Sequence, residues 1–160
     1  MLWDRRMMSA IGKPSQLEEE SGILDCRAQP SVFIADQSVA VIDRLAASIS
    51  DVVQVIGRAT NAHDAIIGIR NGNPQLLVLD IGIANGIDLL KKVKSHQPPV
   101  IVAILTHSAE EDTRRVCLRL GAEYFLDKLN EFDKVREIAL AIGARCAAER
   151  LIPDGNASSG

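Results

Sequence analysis

Five short apolar runs, Val32–Ala35, Val52–Ile56, Leu76–Leu79, Val100–Leu105 and Tyr124–Leu126, are separated by stretches whose apolar residues recur every three or four positions. Three of the runs are continuously apolar and rich in Val or Ile, the signature of strands buried on both faces. The intervening stretches read as helices. Val39, Ile42, Leu45 and Ile49 follow Ser38, a suitable N-cap, while Ala62, Ala65, Ile66 and Ile69 are stopped by Gly72-Asn73-Pro74. Ile87, Leu90 and Val93 share one side, with Lys91, Lys92 and Lys94 turned to water. Ser108-Ala109-Glu110-Glu111 reads as a capping box with Ser108 at N-cap, opening a helix that runs to Gly121. Phe132, Val135, Ile138 or Ala139, Ile142 and Cys146 form the last stripe, behind Asn130 as a cap. Five strands alternating with five helices predict an α/β fold, a (βα)5 doubly wound, parallel five-stranded sheet.

The flanks lack this periodicity. Residues 1–30, with the breaker cluster Gly12-Lys13-Pro14-Ser15 and the run Glu18-Glu19-Glu20, predict a poorly ordered leader. Residues 151–160 predict a flexible tail, which leaves 31–150 as the folded domain.

Composition narrows the picture. At 160 residues with 47% hydrophobic and 24% charged positions, the chain suits one soluble domain with a real core. Aromatics are only 3%, so that core must be built from Val, Ile, Leu and Ala. A net charge of −3 and a pI near 5.6 argue against nucleic acid as partner. No run reaches a membrane span, and Met1–Met8 has no apolar stretch behind it to make a secretory signal. The cytoplasm is the expected location. Cys26, Cys117 and Cys146 share no metal-like spacing, and His63, His96 and His107 are scattered, so free thiols are expected and a zinc site is not.

Ligands of an open parallel sheet bind outside the carboxyl ends of its strands. The residues at those ends are Asp36-Gln37, Asp80, Thr106 and Asp127-Lys128. Singly, an Asp or Thr there is an ordinary turn or helix cap and a Lys an ordinary surface group. Together they put carboxylates, a hydroxyl and an ammonium on one edge, a set suited to a phosphoryl group. An Asp can attack phosphorus, a carboxylate-bound divalent cation neutralises the developing charge, and Lys pairs with a phosphoryl oxygen.

The segments Val32-Phe-Ile-Ala-Asp36-Gln37, Leu76-Leu-Val-Leu-Asp80, Ile104-Leu-Thr106 and Phe125-Leu-Asp-Lys128 resemble a receiver domain of two-component response regulators. Gly86-Ile87-Asp88-Leu89-Leu90 is similar to the start of that family's third helix, and Gly121-Ala122 to the approach to its fifth strand. The 22-residue interval from Thr106 to Lys128 matches as well, and the likeness covers about residues 31–148. The resemblance implies a flavodoxin-like sheet of order 2-1-3-4-5. It implies a phosphoacceptor rather than an enzyme, with Asp80 accepting a phosphoryl group from a sensor histidine kinase or phosphotransfer protein. Lys128 becomes the phosphate-pairing lysine, Thr106 the switch hydroxyl, and Phe125 the switch aromatic that turns inward behind Thr106. Mg²⁺ would be held by Asp36, Asp80 and the backbone carbonyl of Gly82.

Three positions depart from the family pattern. Gln37 stands where a second acid, a direct metal ligand, is usual, and an amide is a poorer ligand for a hard cation. The loop Ile81-Gly82-Ile83-Ala84-Asn85-Gly86 is about two residues shorter than usual and lacks the family's proline. Leu129 follows Lys128 where proline is customary. These departures keep a second outcome open: a degenerate receiver that works as a protein-interaction module without phosphorylation.

No helix-turn-helix, enzyme domain or long linker follows Arg150, so the expectation is a stand-alone receiver acting by protein–protein contact. The face of helix 4, strand 5 and helix 5 is the candidate surface for a downstream protein or a second copy of the chain. Arg114, Arg115, Arg119, Lys134 and Arg136 would give it a basic patch. Two rivals fit less well. A phosphohydrolase with an Asp nucleophile carries it after strand 1 with a second Asp two residues on, and Asp36-Gln37-Ser38 fails that test. A flavin or nucleotide module needs a Gly-rich loop there, and Asp36-Gln37-Ser38-Val39 has no glycine.

Overall fold

In the computed structural model, which describes residues 29–96 and 99–150, the all-apolar segment Leu76–Leu79 is the central strand of a sheet and is buried along its whole length. The elements in chain order are β1 (Ser31–Ala35), α1 (Val39–Ile49), β2 (Gln54–Ala59), α2 (Ala62–Gly72), β3 (Leu76–Leu79), α3 (Gly86–Lys94), β4 (Ile101–Thr106), α4 (Glu111–Arg119), β5 (Tyr124–Asp127) and α5 (Lys134–Arg150). All pairings are parallel and the strand order is 2-1-3-4-5, as expected. The compact unit that carries the sheet spans Pro30–Ala141. Gln29 and the last turns of α5, from Ile142, fall outside that unit. The expected leader, apart from residues 29 and 30, and the expected tail lie outside the described residues, as does Cys26.

Alternation along the strands sorts the core into two faces. Phe33, Ala35, Leu77, Leu79, Val102, Ile104 and Phe125 cluster with Ala65 and Ile69 of α2, Leu89, Leu90 and Val93 of α3, and Cys117 of α4. The intervening residues Val32, Ile34, Leu76, Val78, Ala103 and Leu105 are equally buried, as are Ile42, Leu45 and Ile49 of α1 and Val135 and Ala139 of α5. Phe33 occupies space that two glycines leave open: a Cβ on either Gly57 or Gly68 would collide with its ring.

Local structure corrects several expectations. The second strand is Gln54–Ala59 and not Val52–Ile56. Val52 and Val53 both donate to Ile49 O and close α1, and pairing to β1 starts at Ser31 with Gln54. As an edge strand exposed on one side, β2 has no need of a continuous apolar run. Ser108 does not cap α4: Glu110 is at the N-cap, without a side-chain cap bond, and the Ser108 amide donates to Thr106 Oγ1 instead. Asn130 does not cap α5, which starts at Lys134; Asn130 Nδ2 and the Leu129 amide both donate to the Asp127 carboxylate in a tight turn. Phe132 is buried ahead of that helix, beneath the guanidinium of Arg44. Lys94 is not a solvated lysine, because its Nζ donates to Val100 O and to Glu123. Val39 lies on the open side of α1 and is 60% exposed. Ser38 does cap α1, accepting from the Val41 amide, and Asn73 ends α2 in the left-handed conformation.

Candidate functional site

Parallel register aligns the strand ends. Asp36 follows β1, its amide donating to Ala59 O, and Asp80 follows β3, its amide donating to Ala35 O. Thr106 ends β4, and its carbonyl accepts from the Lys128 amide just past β5. Four polar side chains thereby meet at one edge of an apolar sheet. Asp36, Asp80, Thr106 and Lys128 are also the polar residues buried there, each at most 6% exposed.

Lys128 Nζ lies 2.6 Å from Asp36 Oδ2 and 3.2 Å from Asp80 Oδ2, so one ammonium bridges both carboxylates. The other two carboxylate oxygens are held by local turns. Asp36 Oδ1 accepts from the Ser38 amide at 2.8 Å and Asp80 Oδ1 from the Gly82 amide at 2.9 Å. Every oxygen of the acid pair is therefore engaged within the chain, as buried charges require. Ser38 and Gly82 are contributors that sequence reasoning missed as donors; the signal was their position two residues after each acid, the spacing of an Asx turn.

The loop after Asp80 is closed by Ile83 N→Asp80 O and Gly86 N→Ile83 O bonds. Asn85 is left-handed at φ 63°, and a Cβ on Gly86 would come within 2.5 Å of Ile81 O, so backbone approach demands glycine at the head of α3.

The remaining sequence candidates are placed as follows. Phe125 is buried in the core cluster, and its register partner on β4 is Ile104, so it shares a sheet face with Thr106. Gln37 is exposed, outside the buried set. Asp127 is not part of the site, because both its oxygens serve the turn that carries Leu129, itself 76% exposed. Gly82 is present beside Asp80, with its amide as the group in contact.

A hard divalent cation fits this donor set in a limited way. Among the described residues no group of three or more His, Cys, Asp or Glu side chains is placed to hold a metal. Two buried carboxylates on one side of the pocket suit an ion of the Mg²⁺ type, which typically uses one or two carboxylates and completes its shell with water and phosphate oxygens.

The face of α4, β5 and α5 carries an open groove of about 540 Å³ lined by Arg114, Tyr124, Leu126, Glu131, Lys134 and Glu137, among others. It is of mixed charge and not the expected basic patch. Arg115 pairs with Asp112, and Arg136 is turned to the end of α1, where it grips Asp51 through both nitrogens and donates to Ser48 O. Sequence spacing could not reveal that rotation of α5. Among the described residues no helix is long and apolar enough to cross a membrane.

Comparison with known proteins agrees with this geometry. Residues 32–140 match the family model described as the response regulator receiver domain. The transcriptional regulatory protein CitT of Bacillus subtilis is 30% identical over 92 residues, 56% of this chain and 41% of that protein. A protein-glutamate methylesterase/protein-glutamine glutaminase of Rhizobium johnstonii is 37% identical over 101 residues, 59% of this chain and 29% of that protein. The chain thus spans less than half the length of either relative. Among solved structures, the CheX–CheY–BeF3–Mg²⁺ complex from Borrelia burgdorferi superposes with a TM-score of 0.63 at 25% identity, covering 70% of this chain and 87% of that one.

Proposed function

Since the chain belongs to the response regulator receiver domain family, a family of signalling modules, we propose that it accepts a phosphoryl group on Asp80 from a sensor histidine kinase or phosphotransfer protein. The observation that carries this reading is the bridging of Asp36 and Asp80 by Lys128, buried at the carboxyl edge beside Thr106. An Asp80 oxygen attacks phosphorus, the P–N bond of the donor imidazole breaks, and its electron pair stays on the nitrogen, which takes up a proton. Lys128 moves from the carboxylates to a phosphoryl oxygen and neutralises charge there. The Thr106 hydroxyl donates to a second phosphoryl oxygen, and Phe125, buried on the same sheet face, follows Thr106 as the switch aromatic. Asp36, Asp80 and the Gly82 carbonyl are the ligands we assign to Mg²⁺, with Gln37 at most a weak one. When bound, that ion would supply charge neutralisation at the phosphoryl oxygens. The α4–β5–α5 face is the surface for a downstream protein or a second copy of the chain, and a cytoplasmic location goes with a kinase donor.

A second reading is favoured by one specific observation. All four oxygens of the acid pair are already engaged, and Gln37 adds no charge. A pocket whose carboxylate oxygens are all occupied in this way suits a receiver that binds partners without being phosphorylated.

Intact mass after incubation with a small-molecule phosphodonor and Mg²⁺, wild type beside Asp80→Asn, separates the two. One phosphoryl adduct on wild type alone supports the phosphoacceptor. No adduct on either protein supports the phosphorylation-independent module.

A further inference from the structure

Helix α4 buries fewer of its residues than α2 or α3. Of its nine residues only Cys117 is buried, while Val116 and Leu118 are 41% and 38% exposed. Its neighbour α3 buries four residues over the same length. The start of α4 lacks a side-chain cap: its N-cap residue, Glu110, makes no side-chain cap bond. Cys117, with Leu120 at the C-cap packed against the same core, is its apolar attachment, which leaves the front end of the helix to polar contacts.

Two polar attachments lie at its front end. The Ser108 amide donates to Thr106 Oγ1 at 3.2 Å, tying the lead-in loop to the end of β4. One turn further on, Arg114 Nη1 donates to Phe125 O at 3.3 Å, and the guanidinium carbon stands 5.9 Å from the centroid of the Phe125 ring. β5 is an edge strand, so Phe125 O faces no further strand, and Arg114 occupies its open side. The same side chain thus grips backbone and ring of one residue, within cation–π range. Phe125 lies three residues before Lys128, and Thr106 O accepts from the Lys128 amide, so both attachments end on the strands that carry the polar site.

We propose that Arg114 is a positioning residue that latches α4 to β5 through Phe125, so that the placement of α4 reports the state of Thr106. This rests on the phosphoacceptor reading for its signal. A Thr106 hydroxyl drawn toward a phosphoryl group shifts the acceptor of Ser108, which leaves Arg114 as the attachment that decides whether α4 follows β5 or detaches.

The test is hydrogen exchange on the full chain, wild type beside Arg114→Ala and Arg114→Lys, with and without phosphodonor and Mg²⁺. Without donor, Arg114→Ala should raise exchange of α4 amides at least about fivefold and leave β1 and β3 amides unchanged, because a weakly buried element opens locally. Arg114→Lys, which keeps a donor and loses the planar ring contact, should fall between. With donor, wild type should show a change in α4 exchange that Arg114→Ala lacks, while intact mass shows the same adduct on both. Wild-type protection of α4 in Arg114→Ala, or an unaltered phosphorylation response in that variant, overturns the latch. If wild type takes no adduct, the phosphoacceptor reading fails by itself, and the donor-free comparison decides the latch.

Discussion

The Lys128 ammonium stands 2.6 Å from Asp36 Oδ2, with both side chains about 4% exposed. Such a pair, removed from water, contributes little net stability when intact and is costly to break. Lys128→Met leaves two carboxylates facing each other without a counter-charge and is expected to cost about 3 kcal/mol or more at neutral pH. Urea unfolding measures it. A loss under about 1 kcal/mol would mean that the pocket is wetter than the burial indicates.

The acid pair also predicts the response to a third carboxylate. Gln37→Asp should tighten Mg²⁺ binding about tenfold, the roughly 1.4 kcal/mol expected of one added charge near a partly hydrated ion. Calorimetric titration of both proteins reads this. An unchanged affinity would show that position 37 does not face the ion.

Gly68 carries a prediction whose sign depends on tertiary contact. In a free helix Gly→Ala stabilises by about 1 kcal/mol. Here the new Cβ would sit 2.5 Å from the Phe33 ring, which is buried and cannot swing into solvent. Overpacking of this kind costs about 1–3 kcal/mol. A net fall in thermal midpoint is therefore expected for Gly68→Ala, whereas a rise would show that Phe33 adjusts freely.

The link between α1 and α5 predicts an acid limb. Hydrogen bonding from Arg136 holds the Asp51 carboxyl below its ordinary value of 3.8 and Asp51 in turn raises Arg136. A group with a depressed folded pKa stabilises above its unfolded value, and that contribution is lost as pH falls through the folded one. Arg136→Gln should thus lower stability at neutral pH slightly and flatten the decline of thermal midpoint below about pH 4. Parallel wild-type and variant curves down to pH 2 would remove Asp51 from the acid response.

Much of this architecture is legible in the chain because burial on two faces leaves a strong mark. The runs Leu76–Leu79 and Val100–Leu105 have no polar position to confuse them, and their polar terminators Asp80 and Thr106 stand out by contrast. Legibility fails where one face meets water or a side chain takes an unexpected partner. The edge strand β2 alternates with Gly57 and Arg58 and so hides behind the valines that close α1. Ser108 has the spacing of a cap, yet the helix starts only at Glu111, with Glu110 at its N-cap. Arg136 has the look of a surface charge, yet the rotation of α5 delivers it to Asp51.

The sequence by itself determined the alternation of strand and helix, the parallel sheet, and which residues end each strand, because periodicity and apolar runs are local properties of the chain. Tertiary structure alone decided that Lys128 bridges Asp36 and Asp80 and that Arg114 reaches the carbonyl of Phe125. Those outcomes depend on register and helix rotation between elements 11 to 92 residues apart in the chain, and no local pattern encodes a distance across a sheet.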